Sequence, residues 1–179
     1  EMFYWIGEGK PQGNPATHEA EWLEIWNDVF MQYNKTTEGK FEPLKQQNVD
    51  TGMGLERAAA VLQGVKSVYD TDRMQPILKK AIPNNEGDPV HLRHGRIIAD
   101  HLKAATFIIA DGILPSNVDQ GYVLRRLIRR AIRSARQISH QGAGVCSQIA
   151  EEVIRQYGHA YPQLRARADV VVDTLTQEE

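Results

Sequence analysis

The segment Gly121–Arg136 constrains this chain more than any other. Laid on a helix at about 100° per residue, Arg125, Arg126, Arg129, Arg130, Arg133 and Arg136 fall within an arc of roughly 140°, and Val123, Leu124, Leu127, Ile128, Ala131, Ala135 and Ile138 take the opposite side. Such a helix needs other elements to cover its apolar side, while its arginines face water or a partner. Solvated charged faces usually mix acids and bases for i,i+4 pairing, whereas no acid interrupts this one. A polyanion would neutralise the repulsion, and the planar guanidinium fork suits phosphate. Nucleic-acid binding is therefore favoured over a solvated or intramolecularly paired face. A membrane-surface helix is the minor option, because the opposite side reads as core rather than as an exposed aromatic wedge.

The rest of the second part supplies a core for that helix. His91–Ala110, Val145–Tyr157 and a final segment around Leu164–Leu175 also place apolar residues three and four apart, which predicts a helical domain. Pro115-Ser116-Asn117 punctuates the chain ahead of the arginine helix, and Gly142 and Gly144 follow it. The first part reads differently. Glu1–Ile6 is a short strand and Gly7–Pro15 a loop. Trp22–Asn34 has acids at helical spacing, Glu21, Glu24 and Asp28, yet Leu23, Ile25, Asn27, Val29, Met31 and Tyr33 alternate, and strand is favoured. Thr37-Glu38-Gly39 looks like a hairpin turn into Lys40–Leu44, and Gly54–Gln63 like a helix stopped by Gly64. The turn-forming cluster from Pro83 to Pro89 is the expected domain boundary.

Composition narrows the class. At 179 residues, 41% hydrophobic and 25% charged, the chain suits a globular protein with a sizeable core. No run approaches the roughly 20 apolar residues of a membrane span, so no membrane role and a cytoplasmic location are expected. The single cysteine, Cys146, excludes an internal disulfide. His91, His94 and His101 lack partners at ligand spacing and read as surface or helix-end histidines, so no metal site is expected. Position 1 is not Met and already reads as strand, which suggests that the sequence starts inside a longer protein.

Two further constellations have chemical potential. Val49-Asp50-Thr51-Gly52-Met53-Gly54-Leu55-Glu56-Arg57 runs from a strand end through two glycines into a helix. Glycines let a ligand approach the backbone, a helix start offers N–H groups, Arg57 adds a charge suited to phosphate, and Asp50 could hold an ammonium group. A plain strand-to-helix turn with a solvated Arg57 fits the spacing equally well. Asn27, on an otherwise apolar alternating face, is either bonded to neighbouring backbone, the favoured reading, or aimed at a ligand, since an unpartnered buried amide costs about 1–3 kcal/mol.

Taken in order, Glu24–Asn34, Val49–Arg57, Ile98–His101, Asp111–Asn117 and Gly121–Arg130 resemble the successive signatures of alanyl-tRNA synthetases, a class II aminoacyl-tRNA synthetase family. The resemblance covers nearly all of Glu1 to about Arg136 and fades beyond. It implies an α+β fold: the antiparallel β-sheet portion of a class II catalytic domain at residues 1–83, then an α-helical tRNA-binding domain at 84–179. It implies activation of alanine with ATP and Mg²⁺, followed by transfer to tRNA(Ala). By the same resemblance Gly52–Arg57 is class II motif 3, with Gly54 and Arg57 on ATP and Arg57 catalytic. Asn27, Val29, Asp50 and Gly52 would bind alanine, Asp50 through the ammonium group. Asn117, Arg125, Arg126, Arg129, Arg130 and Arg133 would meet the acceptor stem, where the family reads a G·U wobble pair. Counterparts of motifs 1 and 2 and of the zinc-bearing editing domain are not found, so zinc is not expected and the piece should not aminoacylate alone. An exposed sheet edge would favour self-association. The alternatives are a non-catalytic RNA-binding module and a protein-interaction domain.

Overall fold

Alternation prevails over the helical spacing of acids in the segment that could have gone either way. In the computed structural model, which describes residues 1–83, 87–138 and 144–179, Trp22–Lys35 is a strand, β2. It lies between β1 (Met2–Trp5) and β3 (Phe41–Met53), both antiparallel to it. The Thr37-Glu38-Gly39 turn forms as expected: Thr36 N–H donates to the Lys40 carbonyl at 2.8 Å and Gly39 takes a left-handed φ of 81°. β3 is much longer than the predicted Lys40–Leu44. Its pairing with β2 is irregular between Met31 and Tyr33, where Met31 faces Asn48 but Tyr33 faces Pro43. Pro43 is tolerated because β3 is an edge strand.

β3 runs through Gly54 into α1 (Leu55–Gln63), which ends at Gly64 with a left-handed φ of 67°. A short 3₁₀ turn at Val68–Asp70 follows. These elements make one compact unit, Glu1–Thr71, and Asp72–Glu179 makes another. The division thus falls before the expected 83/84 boundary, for a physical reason. Helix α2 (Gln75–Ala81), which apolar periodicity did not reveal, buries Ile77, Leu78 and Ala81 within the second unit against α3 and α5. Of the turn cluster, Asn84, Asn85 and Glu86 lie outside the described residues, as does Gly142.

In the second unit, α3 (Pro89–Ala110) starts on Asp88, whose carboxylate accepts the Val90 N–H at 2.8 Å, with Pro89 in its first turn. α4 (Asp119–Gln137) is the arginine helix and α5 is Val145–Tyr157. The final segment is two helices, α6 (Pro162–Ala166) and α7 (Ala168–Glu178), broken at Arg167. Ile98, Leu102 and Ile109 of α3, Leu124 and Ile128 of α4, Ile149 and Val153 of α5 and Leu175 of α7 are fully buried. Truncating one of them to Ala should cost about 2–5 kcal/mol. Gly95 lets α3 approach the chain after α2, since a Cβ there would stand 2.8 Å from Ile82 Cγ2. α5 has no cap of its own. Instead the Glu179 carboxylate accepts from Gly144, Val145 and Cys146 N–H at 3.1–3.3 Å, satisfying donors that a helix start leaves open. No helix among the described residues is long and apolar enough to cross a membrane.

Candidate functional site

The register of β2 on β3 brings four of the predicted residues together. Asn27 faces Gly52 and Val29 faces Asp50 across the ladder. Directly opposed residues share a face of an antiparallel pair, as do residues two apart on one strand, so Asn27, Val29, Asp50 and Gly52 form one continuous patch. Val29 is 50% exposed on it, and a Cβ at Gly52 would meet nothing within 4 Å. The Asn27 amide is half-buried and makes no hydrogen bond among the described residues, so the favoured reading, bonding to neighbouring backbone, does not hold. On the opposite face, Trp26 Nε1 donates to Thr51 Oγ1, and that hydroxyl donates to Asp28 Oδ1 at 2.9 Å. This chain pins the register at the level of the patch.

At the end of β3 the chain turns into α1 under the control of Gly54. Its N–H donates to the Ile25 carbonyl at 3.0 Å and its carbonyl accepts from Ala58 N–H at 2.8 Å. A Cβ at Gly54 would lie 3.2 Å from Arg57 Cδ, so the glycine seats the arginine's aliphatic stem. Arg57 Nη1 donates to the Glu24 carbonyl at 2.9 Å and sits 3.4 Å from Glu24 Oε2. The Arg57 side chain is nonetheless 49% exposed, so its remaining donors can turn to an anion. Glu24 as the anchor of Arg57 was not foreseen. Its position in β2, 33 residues away, gives no local signal.

In the second unit the arginines divide into two kinds. Arg126, Arg129, Arg130, Arg133 and Arg136 are exposed along one side of α4, over about 15 Å of helix. Arg126 lies 5.8 Å from the Tyr122 ring centroid, and the others have no ion-pair partner among the described residues. Arg125 is different: it donates to Glu178 Oε1 at 3.1 Å, to Asn117 Oδ1 at 2.6 Å and to the Pro115 carbonyl at 3.3 Å. Val123, placed on the packed side by the pattern, is 55% exposed, whereas Ser134 is buried. Asp100 on α3 lies within the electrostatic reach of Arg130. A hydrogen bond with His101 holds its carboxyl below the ordinary 3.8, helped by the charges of His101, Lys103 and Arg130.

The histidines do not converge. His91 pairs with Asp88 at 2.6 Å and His101 with Asp100 at 2.9 Å, acidic partners that spacing did not suggest. Among the described residues no group of three or more His, Cys, Asp or Glu side chains could hold a metal.

Against known proteins, the family model described as tRNA synthetases class II (A) matches residues 3–179. Among curated relatives, the alanine–tRNA ligases of Francisella philomiragia and Pseudoalteromonas translucida are 44% and 43% identical to this chain over 182 aligned positions. That of Idiomarina loihiensis is 43% identical over 185. Each match covers all of this chain but only 21% of the relative, so the chain spans about a fifth of those proteins' length. With almost its whole length inside the family model, this chain belongs to the class II (A) tRNA synthetases.

Proposed function

We propose that this chain supplies part of an alanine-activating site in its first unit and a docking surface for the tRNA(Ala) acceptor stem in its second. The observation behind the first half is the shared face of Asn27, Val29, Asp50 and Gly52, with Arg57 seated just beyond it. Asp50 would hold the alanine ammonium group by a charge-assisted hydrogen bond, and Asn27 and Val29 would wall a pocket small enough for a methyl group. Such a pocket rejects smaller or isosteric amino acids only weakly.

Arg57 would bind the nucleotide phosphates. When the alanine carboxylate attacks the α-phosphate of ATP and pyrophosphate leaves, little covalent chemistry falls to the protein, and positioning and charge stabilisation dominate. Glu24 keeps one nitrogen of Arg57 in place while the rest of the fork stays accessible. Mg²⁺ would accompany ATP and supply charge neutralisation at its phosphates. A pure RNA-binding module would have no use for this patch, which is why the activation reading is preferred.

In the second unit, Arg126, Arg129, Arg130 and Arg133 would track phosphates and set register, and Asn117, exposed beside them, would read a base edge. The test is binding of the chain to an acceptor-stem minihelix carrying a G·U pair, against the same stem with G·C, at two salt concentrations. Salt-sensitive binding that prefers G·U is expected. Absence of binding at low salt refutes the docking role.

A further inference from the structure

Arg125 stands on the arginine helix yet every nitrogen of its guanidinium is engaged inside the unit. Nε and Nη2 lie 3.1 and 3.0 Å from Glu178 Oε1, Nη1 is 2.6 Å from Asn117 Oδ1 and Nη2 is 3.3 Å from the Pro115 carbonyl. Arg125 and Glu178 are also the shielded members of this surface, their side chains 28% and 20% exposed. Such a guanidinium cannot fork onto a phosphate without abandoning these bonds. Arginine is donor-only, so the Asn117 atom facing it must be the carbonyl oxygen. The amide NH₂ then points away, and it has no partner among the described residues.

The segment that presents Asn117 is itself held. Ser116 N–H donates to the Gly121 carbonyl at 3.0 Å, and Ser116 Oγ bonds the backbone of Val118 as donor at 2.8 Å and as acceptor at 3.3 Å. A Cβ at Gly121 would stand 2.3 Å from Ser116 Oγ and 2.6 Å from the Leu114 carbonyl oxygen, so only glycine lets the loop seat on the start of α4. Backbone and side chain of Asn117 are thus fixed by separate contacts.

We propose that Arg125 and Glu178 are positioning residues that hold the Asn117 amide with its NH₂ donors turned outward, so that this position recognises an acceptor atom on RNA. The inference rests on the acceptor-stem reading of Asn117. Glu178 fixes Arg125, and Arg125 fixes the amide against rotation. An outward NH₂ pairs with a base carbonyl, a ring nitrogen or a 2′-hydroxyl oxygen and is repelled by an exocyclic amine. Arg125 therefore contributes to which pair is read, and Arg126, Arg129, Arg130 and Arg133 to how tightly any stem is held.

The test has two arms on the 179-residue chain, with Arg125→Lys, Glu178→Gln and Asn117→Ala as variants, each checked for unchanged helix content. In the free protein, the Asn117 side-chain NH₂ resonances are followed by ¹⁵N relaxation. They should be ordered in the wild type and mobile in Arg125→Lys and Glu178→Gln. In the RNA arm, the ratio of affinities for G·U and G·C stems should fall about fivefold in both variants, the equivalent of one hydrogen bond, with the salt slope unchanged. Adding Asn117→Ala should make neither variant worse. A preference that is lost in Asn117→Ala but kept in both other variants overturns the positioning role alone. An amide that stays ordered in both variants, or a loss of affinity in Arg125→Lys that is the same for G·U and G·C stems, does the same. A preference that survives Asn117→Ala overturns the acceptor-stem reading and this inference with it.

Discussion

Replacing Arg129 with Gln removes one charge from the exposed stripe without touching the packed side of α4, where Leu124, Ile128 and Ala131 are fully buried. Its effect on RNA binding can be worked out beforehand. If Arg126, Arg129, Arg130 and Arg133 each neutralise one phosphate, the slope of log K against log salt is about −3.6 at −0.9 per contact. Raising salt from about 50 to 200 mM then weakens binding about 150-fold. With three contacts left the slope becomes about −2.7 and the same step costs about 40-fold. Fluorescence anisotropy of a labelled minihelix across that salt range measures both slopes, and denaturant unfolding should show stability changed by less than about 0.5 kcal/mol. A wild-type slope near zero, or the same slope in Arg129→Gln and Arg133→Gln as in the wild type, would refute the phosphate-contact reasoning.

The hydroxyl of Thr51 links Trp26 to Asp28 across the sheet, so Thr51→Val should destabilise the first unit by about 1 kcal/mol in denaturant unfolding. Burial, with the Glu179 carboxylate adding to it, pushes the Cys146 thiol up to about 12. At pH 8 only about one folded molecule in ten thousand carries the thiolate, so a disulfide reagent should label Cys146 only after unfolding. Arg155, by hydrogen bonding, holds the Glu152 carboxyl below its ordinary 4.5. A depressed carboxylate stabilises the folded state above its unfolded value and loses that contribution as pH falls through the folded one. Unfolding midpoints measured from pH 7 to 3 should therefore fall less steeply in Glu152→Gln than in the wild type.

How much could be read ahead depended on whether the signal was local. α4 and α5 emerge close to their predicted bounds, because apolar spacing along one helix is a property of consecutive residues. Helix α2 was missed because its seven residues are too few for periodicity to register, and Pro76 within it reads as punctuation. The strand over Trp22–Lys35 was legible, but not that Asn27 meets Gly52 and Val29 meets Asp50, since register depends on the turn and on the irregularity past Met31. Asn27 and Asp50 stand out in the sequence as candidate ligand groups and Val29 shares the alternating face of Asn27, but only the pairing with β3 places Asp50 and Gly52 on that face.

The arginine stripe shows the same limit within a single helix. Six arginines fall on one arc in sequence, yet Arg125 differs from the others because Glu178, 53 residues further on, reaches it. No pattern within α4 could have separated it. Val123 is exposed for a related reason: the pattern gives a helix's apolar side, while the neighbours α3, α5 and α7 decide how much of that side is covered.

The most direct test of the two-part account is alanine-dependent ATP–pyrophosphate exchange by a full-length alanine–tRNA ligase carrying this chain at the matching segment. Asp50→Asn and Arg129→Gln would be compared in it. Losing one charge-assisted hydrogen bond should raise the KM for alanine about ten- to a hundredfold in Asp50→Asn. Arg129→Gln should leave exchange at the wild-type level while kcat/KM for tRNA charging falls. Exchange untouched by Asp50→Asn, or depressed as much by Arg129→Gln, would contradict the assignment of amino-acid activation to the sheet face and RNA docking to α4.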